Sequence, residues 1–366
     1  MLHMLDLDTP CLLIDRVIME ANLARMQATA DSHHVRLRPH IKTHKSPRLA
    51  HQQLQIGAVG IAVAKLAEAE LMAAHGLNDI QIANQVVGRE KIERLARLAT
   101  SAHVTCAVDS IENVVELSAI FAAHQKILDL LIEIDTGLHR CGLSEPNEVI
   151  ALASHIRSLP GLRLLGAMTH AGHAYAAGSP AELRQIGTAE GQTMVQMAEK
   201  LCQAGFPIEV VSVGSTPTAP YACAMTGVTE LRVGNYIFND MIQVALGSAT
   251  VDSCALTLLA TVISRPAADR VVIDAGSKAL TADAGAHGKR LVQGFGNLLG
   301  KRAILERLSE EHGIISGDAK QFTLGEKVRI IPNHACAVVN MFDRAYLVEQ
   351  AHVVEEIPIL ARGAMT

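Results

Sequence analysis

The chain has 366 residues, 49% of them apolar and 19% charged, enough to bury a sizeable core and to fill one large domain plus a smaller one. A net charge of −5 without any basic block offers nothing to nucleic acid or an anionic membrane, and no apolar run reaches the ~18–20 residues of a membrane span. Trp is absent, so the core falls to Ala, Val, Leu, Ile and Met. The seven scattered cysteines, odd in number and without a Cys-x-x-Cys pair, are expected as reduced thiols in a cytoplasmic protein.

Met1 to Pro10 has neither the positive start nor the apolar core of a signal peptide. Asp15 predicts a helix N-cap, with Met19, Leu23, Met26 and Ala30 at helical spacing behind it. Short apolar runs then recur at 35–42, 58–64, 79–84, 103–109, 129–135, 164–170, 209–215 and 230–236. Ala-rich helical stretches separate them; Leu66, Ala69 and Ala73, closed by Gly76, form one. Near-continuous apolarity marks strands covered on both faces. Alternation with helices implies parallel pairing through right-handed crossovers. Eight such units predict an α/β fold, a TIM-like (β/α)8 barrel over 1–245, whose first residues are free to join the next domain. From residue 250 on, strand-like stretches at 257–263, 270–274 and 327–332 predict a mostly-β domain over 246–366, with one helical segment at 298–312.

In an α/β barrel, chemistry sits at the carboxyl ends of the strands. Here the first strand ends Arg38-Pro39-His40-Ile41-Lys42-Thr43-His44-Lys45, the third at Asn84 and the fourth at Asp109. The fifth runs into Asp135-Thr136-Gly137-Leu138-His139-Arg140-Cys141-Gly142, and the sixth into Thr169-His170-Ala171-Gly172-His173. The seventh ends Val213-Gly214-Ser215-Thr216-Pro217 and the eighth Arg232-Val233-Gly234-Asn235-Tyr236. Any one of these reads as a satisfied polar residue at a loop start; their convergence on one rim predicts an enzyme. Lys42, against an apolar barrel and near Arg and His cations, is expected to have a lowered pKa and to form an imine with an aldehyde cofactor. Lys45 reads as a surface lysine. Gly214-Ser215-Thr216 and Gly234-Asn235 are small-residue turns at the corner where many barrels offer N–H groups to a phosphate.

At these residues the sequence resembles the fold-type III, alanine racemase-like pyridoxal-phosphate enzymes, and among them the D-threonine aldolase and D-serine dehydratase family. The resemblance is carried by Arg-Pro-His-x-Lys-Thr-His-Lys, Asp-Thr-Gly-x-His-Arg-x-Gly, Gly-Ser-Thr-Pro-Thr, Leu-Arg-x-Gly-Asn-Tyr and Pro-Asn-His-x-Cys, and it runs from Asp8 to Pro358. It implies pyridoxal 5′-phosphate on Lys42, with Arg140 at the phenolic oxygen and His170 against the ring. It implies a phosphate held by Gly214, Ser215, Thr216, Gly234 and Asn235. Arg232 would stand near the pyridine nitrogen; an arginine does not give up its proton, so the ring would be a poorer electron sink.

The family also implies a divalent metal on His334 and Cys336. Read alone, that pair is two ligands, and a buried structural cysteine is the plainer reading. Dehydratase-type members carry His-x-Cys and zinc; aldolase-type members more often carry His-x-Asp and manganese or a similar ion. Thiolate favours zinc. His173 resembles the aldolase histidine that takes the β-hydroxyl proton, and otherwise reads as a loop histidine. The expected activity is therefore a metal-assisted lyase acting on a small β-hydroxy-D-amino acid. Retro-aldol cleavage to glycine and an aldehyde stands first, and elimination to a 2-oxo acid and ammonia is the alternative. An amino acid racemase would need a catalytic Tyr from the second domain, where Tyr346 stands in no racemase-like motif. A non-catalytic cofactor-binding protein would stop near the end of the barrel. The resemblance further implies a homodimer.

Overall fold

Asp15 turns the chain from its first strand, β1 (Cys11–Asp15), into helix α1 (Arg16–Ser32). Its carboxylate accepts the Ile18 N–H at 3.1 Å, a cap worth ~1 kcal/mol. Met19, Leu23 and Ala30 are then buried along one face, as their spacing predicts. The computed structural model describes residues 2–286 and 289–366.

Eight parallel strands follow: β2 (Arg36–Leu37), β3 (Ile61–Val63), β4 (Asp79–Gln85), β5 (His103–Val108), β6 (Leu128–Glu133), β7 (Leu162–Met168), β8 (Val210–Val213) and β9 (Glu230–Leu231). Each lies within or overlaps one of the predicted apolar runs. Their order is β2-β9-β8-β7-β6-β5-β4-β3. The two ends of that path meet through a His40–Ala62 bridge, and the Val59 and Ala62 N–H groups donate to the carbonyls of Leu37 and Pro39. Helices α2 (Pro47–Gln55), α3 (Leu66–Ala74), α4 (Arg89–Leu98), α5 (Ile111–Ala123), α6 (Pro146–Ser158) and α7 (Pro180–Gln203) lie between the strands. Strands β3 and β6 are buried at every residue, as strands covered on both faces must be. Ala107, Leu131, Met168 and Val210 form one packed group on β5 to β8.

The second sheet has nine strands and begins with the first strand of the chain. β1 runs antiparallel to β10 (Leu256–Ala267) and parallel to Arg344–Glu349. On one side of β10 lie β11 (Arg270–Ile273), Gly313–Ser316 and Ile304–Leu308; Lys327–Ile331 also pairs with β10 and with Asn297–Leu298. The helix expected at 298–312 is absent: Leu305 faces Ile315 across a hairpin in its place. Leu298, Leu305 and Leu308 satisfy a helical period by chance. Gly300 turns the chain at φ +72°, and a Cβ on Gly313 would sit 2.7 Å from the Ala275 carbonyl. Lys45 also departs from expectation. It is buried at φ +52°, pairs with Glu68 at 2.9 Å, and exchanges backbone and side-chain bonds with Ala361. The lysine turn of the barrel is thereby tied to the end of the chain.

No helix among the described residues is long and apolar enough to cross a membrane. Gly166 marks a close backbone approach in the barrel wall, where a Cβ would lie 1.9 Å from the Val210 carbonyl oxygen. Gly166→Ala must push β7 and β8 apart and should cost about 3 kcal/mol in urea unfolding. A loss under about 1 kcal/mol would show that the wall yields there.

Candidate active site

The strand ends enclose a cavity of about 440 Å³, walled on one side by the barrel and on the other by His334 and Cys336, which follow the second sheet's strand Lys327–Ile331. The turn after β2 delivers Lys42. His40 shapes that turn, its Nδ1 accepting the Lys42 N–H at 3.3 Å. The loop after β6 delivers Arg140, and the end of β7 delivers His170. The turns after β8 and β9 deliver Gly214, Ser215, Thr216, Arg232, Gly234 and Asn235. All of these predicted residues line the one cavity.

Electrostatics at the mouth follow from burying several cations together. Burial lowers the Lys42 amine; Arg140 and Arg232 lower it further, against an opposing pull from Cys336 and Glu68. Burial and the same cations hold His40 and His170 well below the ordinary imidazole value, so both rings are neutral. Arg232 donates to Ser212 Oγ at 2.6 Å and to the Thr169 carbonyl, and Glu230, Glu133 and Glu190 answer its charge. Arg140 Nη2 stands 3.9 Å from Glu133, which Gln85 holds at 2.6 Å.

The small-residue corner is a tight cradle. A Cβ on Gly234 would meet the His40 carbonyl at 2.8 Å and Thr43 Oγ1 at 3.0 Å, and Gly214 takes φ +121°. Glu190 pins the Gly214 N–H at 2.8 Å, and Thr216 Oγ1 accepts the Tyr236 N–H at 3.1 Å. With hydroxyls from Ser215 and Thr216, a neighbouring amine of lowered pKa and two arginines on the same wall, these residues fit an aldehyde cofactor that carries a phosphate.

His334 caps a short helix, Ala335–Val339, which packs on the Ile41–Thr43 turn. The His334–Cys336 pair thus sits at a helix start. His334 Nδ1 bonds Asp283 Oδ2 at 2.8 Å, and the Cys336 thiol meets Thr43 Oγ1 at 3.2 Å. Burial alone would raise that thiol. His334 close by, then Lys42 and Thr43, outweigh it and bring the thiol below its ordinary value. A carboxylate behind an imidazole, with a thiol of lowered pKa beside it, fits a divalent ion. No group of three or more His, Cys, Asp or Glu is placed to hold a metal among the described residues, so the pair would leave most of the ion's coordination open.

One predicted participant, His173, and the tyrosine that a racemase would need stand elsewhere. His173 lies in the short Gly172–Ala176 helix with its ring against Gly137, and is not part of the cavity wall. Tyr346 packs beside Leu13 and Leu259 in the second sheet. Sequence reasoning passed over Glu190 and Asp240. Glu190 was signalled only by an acid among small residues, between Gly187 and Gly191, on a face otherwise apolar. Asp240 was a helix-cap residue like many others.

Residues 14–241 match the family described as "Alanine racemase, N-terminal domain", and residues 255–348 match a serine dehydratase domain family. The chain is 37% identical to D-threo-3-hydroxyaspartate dehydratase from Delftia sp. (strain HT23), over 93% of each chain. It is 35% identical to D-threonine aldolase from Arthrobacter sp., over 97% of this chain and 93% of that one. A solved cysteine-to-alanine variant of D-threo-3-hydroxyaspartate dehydratase, in the metal-free form, superposes with a TM-score of 0.92 at 35% identity, covering 98% of this chain and 99% of that one.

His44 links the lysine turn to the cradle. Its Nδ1 accepts the Ser46 N–H, its Nε2 bonds Gln53 Oε1 at 3.1 Å, and Gln53 donates to the Tyr236 hydroxyl at 3.0 Å. Burial pushes its pKa down from 6.5 to about 4. The unfolded chain therefore binds this proton first, so the contribution is whole above pH 6.5 and drains away toward pH 4. It is worth ~3 kcal/mol, with His40 and His170 acting in the same direction. Urea unfolding at pH 7 and pH 4.5 should show the loss, and His44→Gln should reduce it by about His44's share while His40 and His170 keep theirs; an equally steep loss in the variant would contradict this assignment.

Proposed function

The chain belongs to the D-threonine aldolase and D-serine dehydratase family of alanine racemase-like pyridoxal-phosphate lyases, and from that premise we propose that it eliminates water from β-hydroxy-D-amino acids, with a divalent metal assisting. The products would be a 2-oxo acid and ammonia. One observation carries the reading: the Lys42 amine and the His334–Cys336 pair face the same cavity. When bound, the cofactor supplies an electron sink for the bond broken at the α-carbon, and the metal supplies a Lewis acid toward the β-oxygen.

The chain's own residues would do the rest. Lys42 would hold the cofactor's aldehyde carbon and, released from it by substrate, take the α-proton at its Nζ. Burial lowers its pKa, which favours the free amine that a base needs. Gly214, Ser215, Thr216, Gly234 and Asn235 would hold the phosphate, Arg140 would face the phenolic oxygen, and neutral His170 would lie against the ring. Arg232 would meet the ring nitrogen without yielding a proton, leaving a weaker electron sink and more work for the metal pair. Leu138, Met168 and Ile242 supply apolar wall and limit water at the reacting carbons. His334 and Cys336 would hold the ion, zinc being favoured by the thiolate. A metal-free form of a cysteine variant of the dehydratase relative supports a cysteine ligand.

Elimination stands ahead of retro-aldol cleavage for two reasons. The pair contains a thiol, and His173, the base that cleavage requires at the β-hydroxyl, is not on the cavity wall. Cleavage remains the second reading, favoured by the aldolase relative and by the position of His173 between wall residues Gly172 and Tyr175.

Metal-replete enzyme should convert D-threo-3-hydroxyaspartate or D-serine to a 2-oxo acid and ammonia. Chelation or Cys336→Ala should lower kcat by ~100-fold or more while the cofactor's visible band persists. Glycine and an aldehyde from D-threonine, without 2-oxo acid from the other two, would establish cleavage instead. Full activity in chelator would remove the metal from the reaction.

A further inference from the structure

One carboxylate oxygen joins the two halves of the site. Asp240 follows the β9 turn and caps the short helix Met241–Ala245, its Oδ1 accepting the Gln243 N–H at 3.0 Å. Its Oδ2 accepts twice, from Asn235 Nδ2 at 2.6 Å and from the Ala335 N–H at 2.9 Å. Asn235 lies in the phosphate cradle. Ala335 is the residue between His334 and Cys336. The backbone repeats the join one step on, where the Met241 and Ile242 N–H groups donate to the Pro332 and Asn333 carbonyls, each at 3.1 Å. Asp240 is 1% exposed and touches the cavity.

Hydrogen bonds to a buried carboxylate are short, strong and narrow in the geometries they allow. A displacement of Asn235 therefore moves the acceptor on which the ligand-pair backbone rests. Two sites that share one such element are coupled, and the coupling is reciprocal. A ligand that orders Asn235 also orders Ala335, and the second ligand then binds a pair already in place.

Resting on the cofactor and metal sites proposed above, we propose that Asp240 is a positioning residue that couples them, so that bound cofactor raises metal affinity and bound metal raises cofactor affinity. It need touch neither the substrate nor the ion. Its contribution is to fix the distance between the phosphate corner and the His334–Cys336 segment.

The test is a zinc titration of the full-length chain, stripped of metal, with and without cofactor loaded and free cofactor removed, read by competition with a chromophoric chelator. In the wild type the zinc Kd should fall about fivefold or more when cofactor is loaded. Asp240→Ser can still cap Gln243 but is too short to reach Asn235 and Ala335. Its cofactor band should form, and its Kd ratio should fall to about one. Asp240→Asn, which keeps an oxygen within reach, should restore part of the ratio. If Asp240→Ser does not fold, Asn235→Ala removes the donor on the other side of the joint and should flatten the ratio in the same way. A wild-type ratio of about one, or a full ratio in Asp240→Ser or Asn235→Ala, overturns the proposal. Zinc binding unaffected by His334→Ala with Cys336→Ala would instead remove the metal site itself, and this coupling with it.

Discussion

Burial of the Lys42 amine among other cations is the interaction from which the mouth of the barrel is organised. Desolvation lowers it, and Arg140 and Arg232 lower it further. The same crowding holds His40 and His170 well below the ordinary imidazole value, while Arg140 and Arg232 keep their charge on the cavity wall. Arginines in such a place need buried acids, and Glu230, Glu133 and Glu190 stand around Arg232 to supply them. Glu190 then does a second task by fixing the Gly214 turn, and Glu133 by facing Arg140. One electrostatic requirement thus accounts for most of the charged residues buried at this end.

The second constraint is the joining of the two sheets. The chain lays down β1 in the second sheet before it builds the barrel, and returns to pair Arg344–Glu349 beside it. The short helix Ala335–Val339 is pressed onto the lysine turn, and Ala361 is bonded to Lys45 on that turn. Lys42 and the Cys336 thiol therefore come from distant parts of the sequence, yet they line one cavity. Asp240 spans the remaining gap. A family whose members eliminate water or cleave a carbon–carbon bond can keep this frame and vary the groups at its rim.

Much of this was legible in the residues. The eight apolar runs marked the barrel strands because strands covered on both faces must be apolar throughout. The polar strand ends marked the cavity because apolar strands have no other reason to finish in Lys42, His170, Arg232 and Asn235. The false helix at 298–312 arose because a few leucines met a helical period while the glycines and the cross-strand partner Ile315 decided the outcome. Lys45 was misread because its partner, Glu68, is remote from that turn in the sequence and faces it only once α3 is packed. Asp240 and Glu190 were missed for the same reason: a buried acid declares itself by what it touches. His173 shows the converse, since a motif can place a histidine next to a cavity without placing its ring in the wall.

The account rests on Lys42 as the residue that holds the cofactor. The most direct measurement is borohydride reduction of the enzyme as purified with pyridoxal phosphate, followed by peptide mapping by mass spectrometry. The account predicts a single phosphopyridoxyl mass increment on Lys42 and none on Lys45, whose amine is held by Glu68 and Ala361. An increment on any other lysine, or a visible cofactor band that survives in Lys42→Ala, would contradict it.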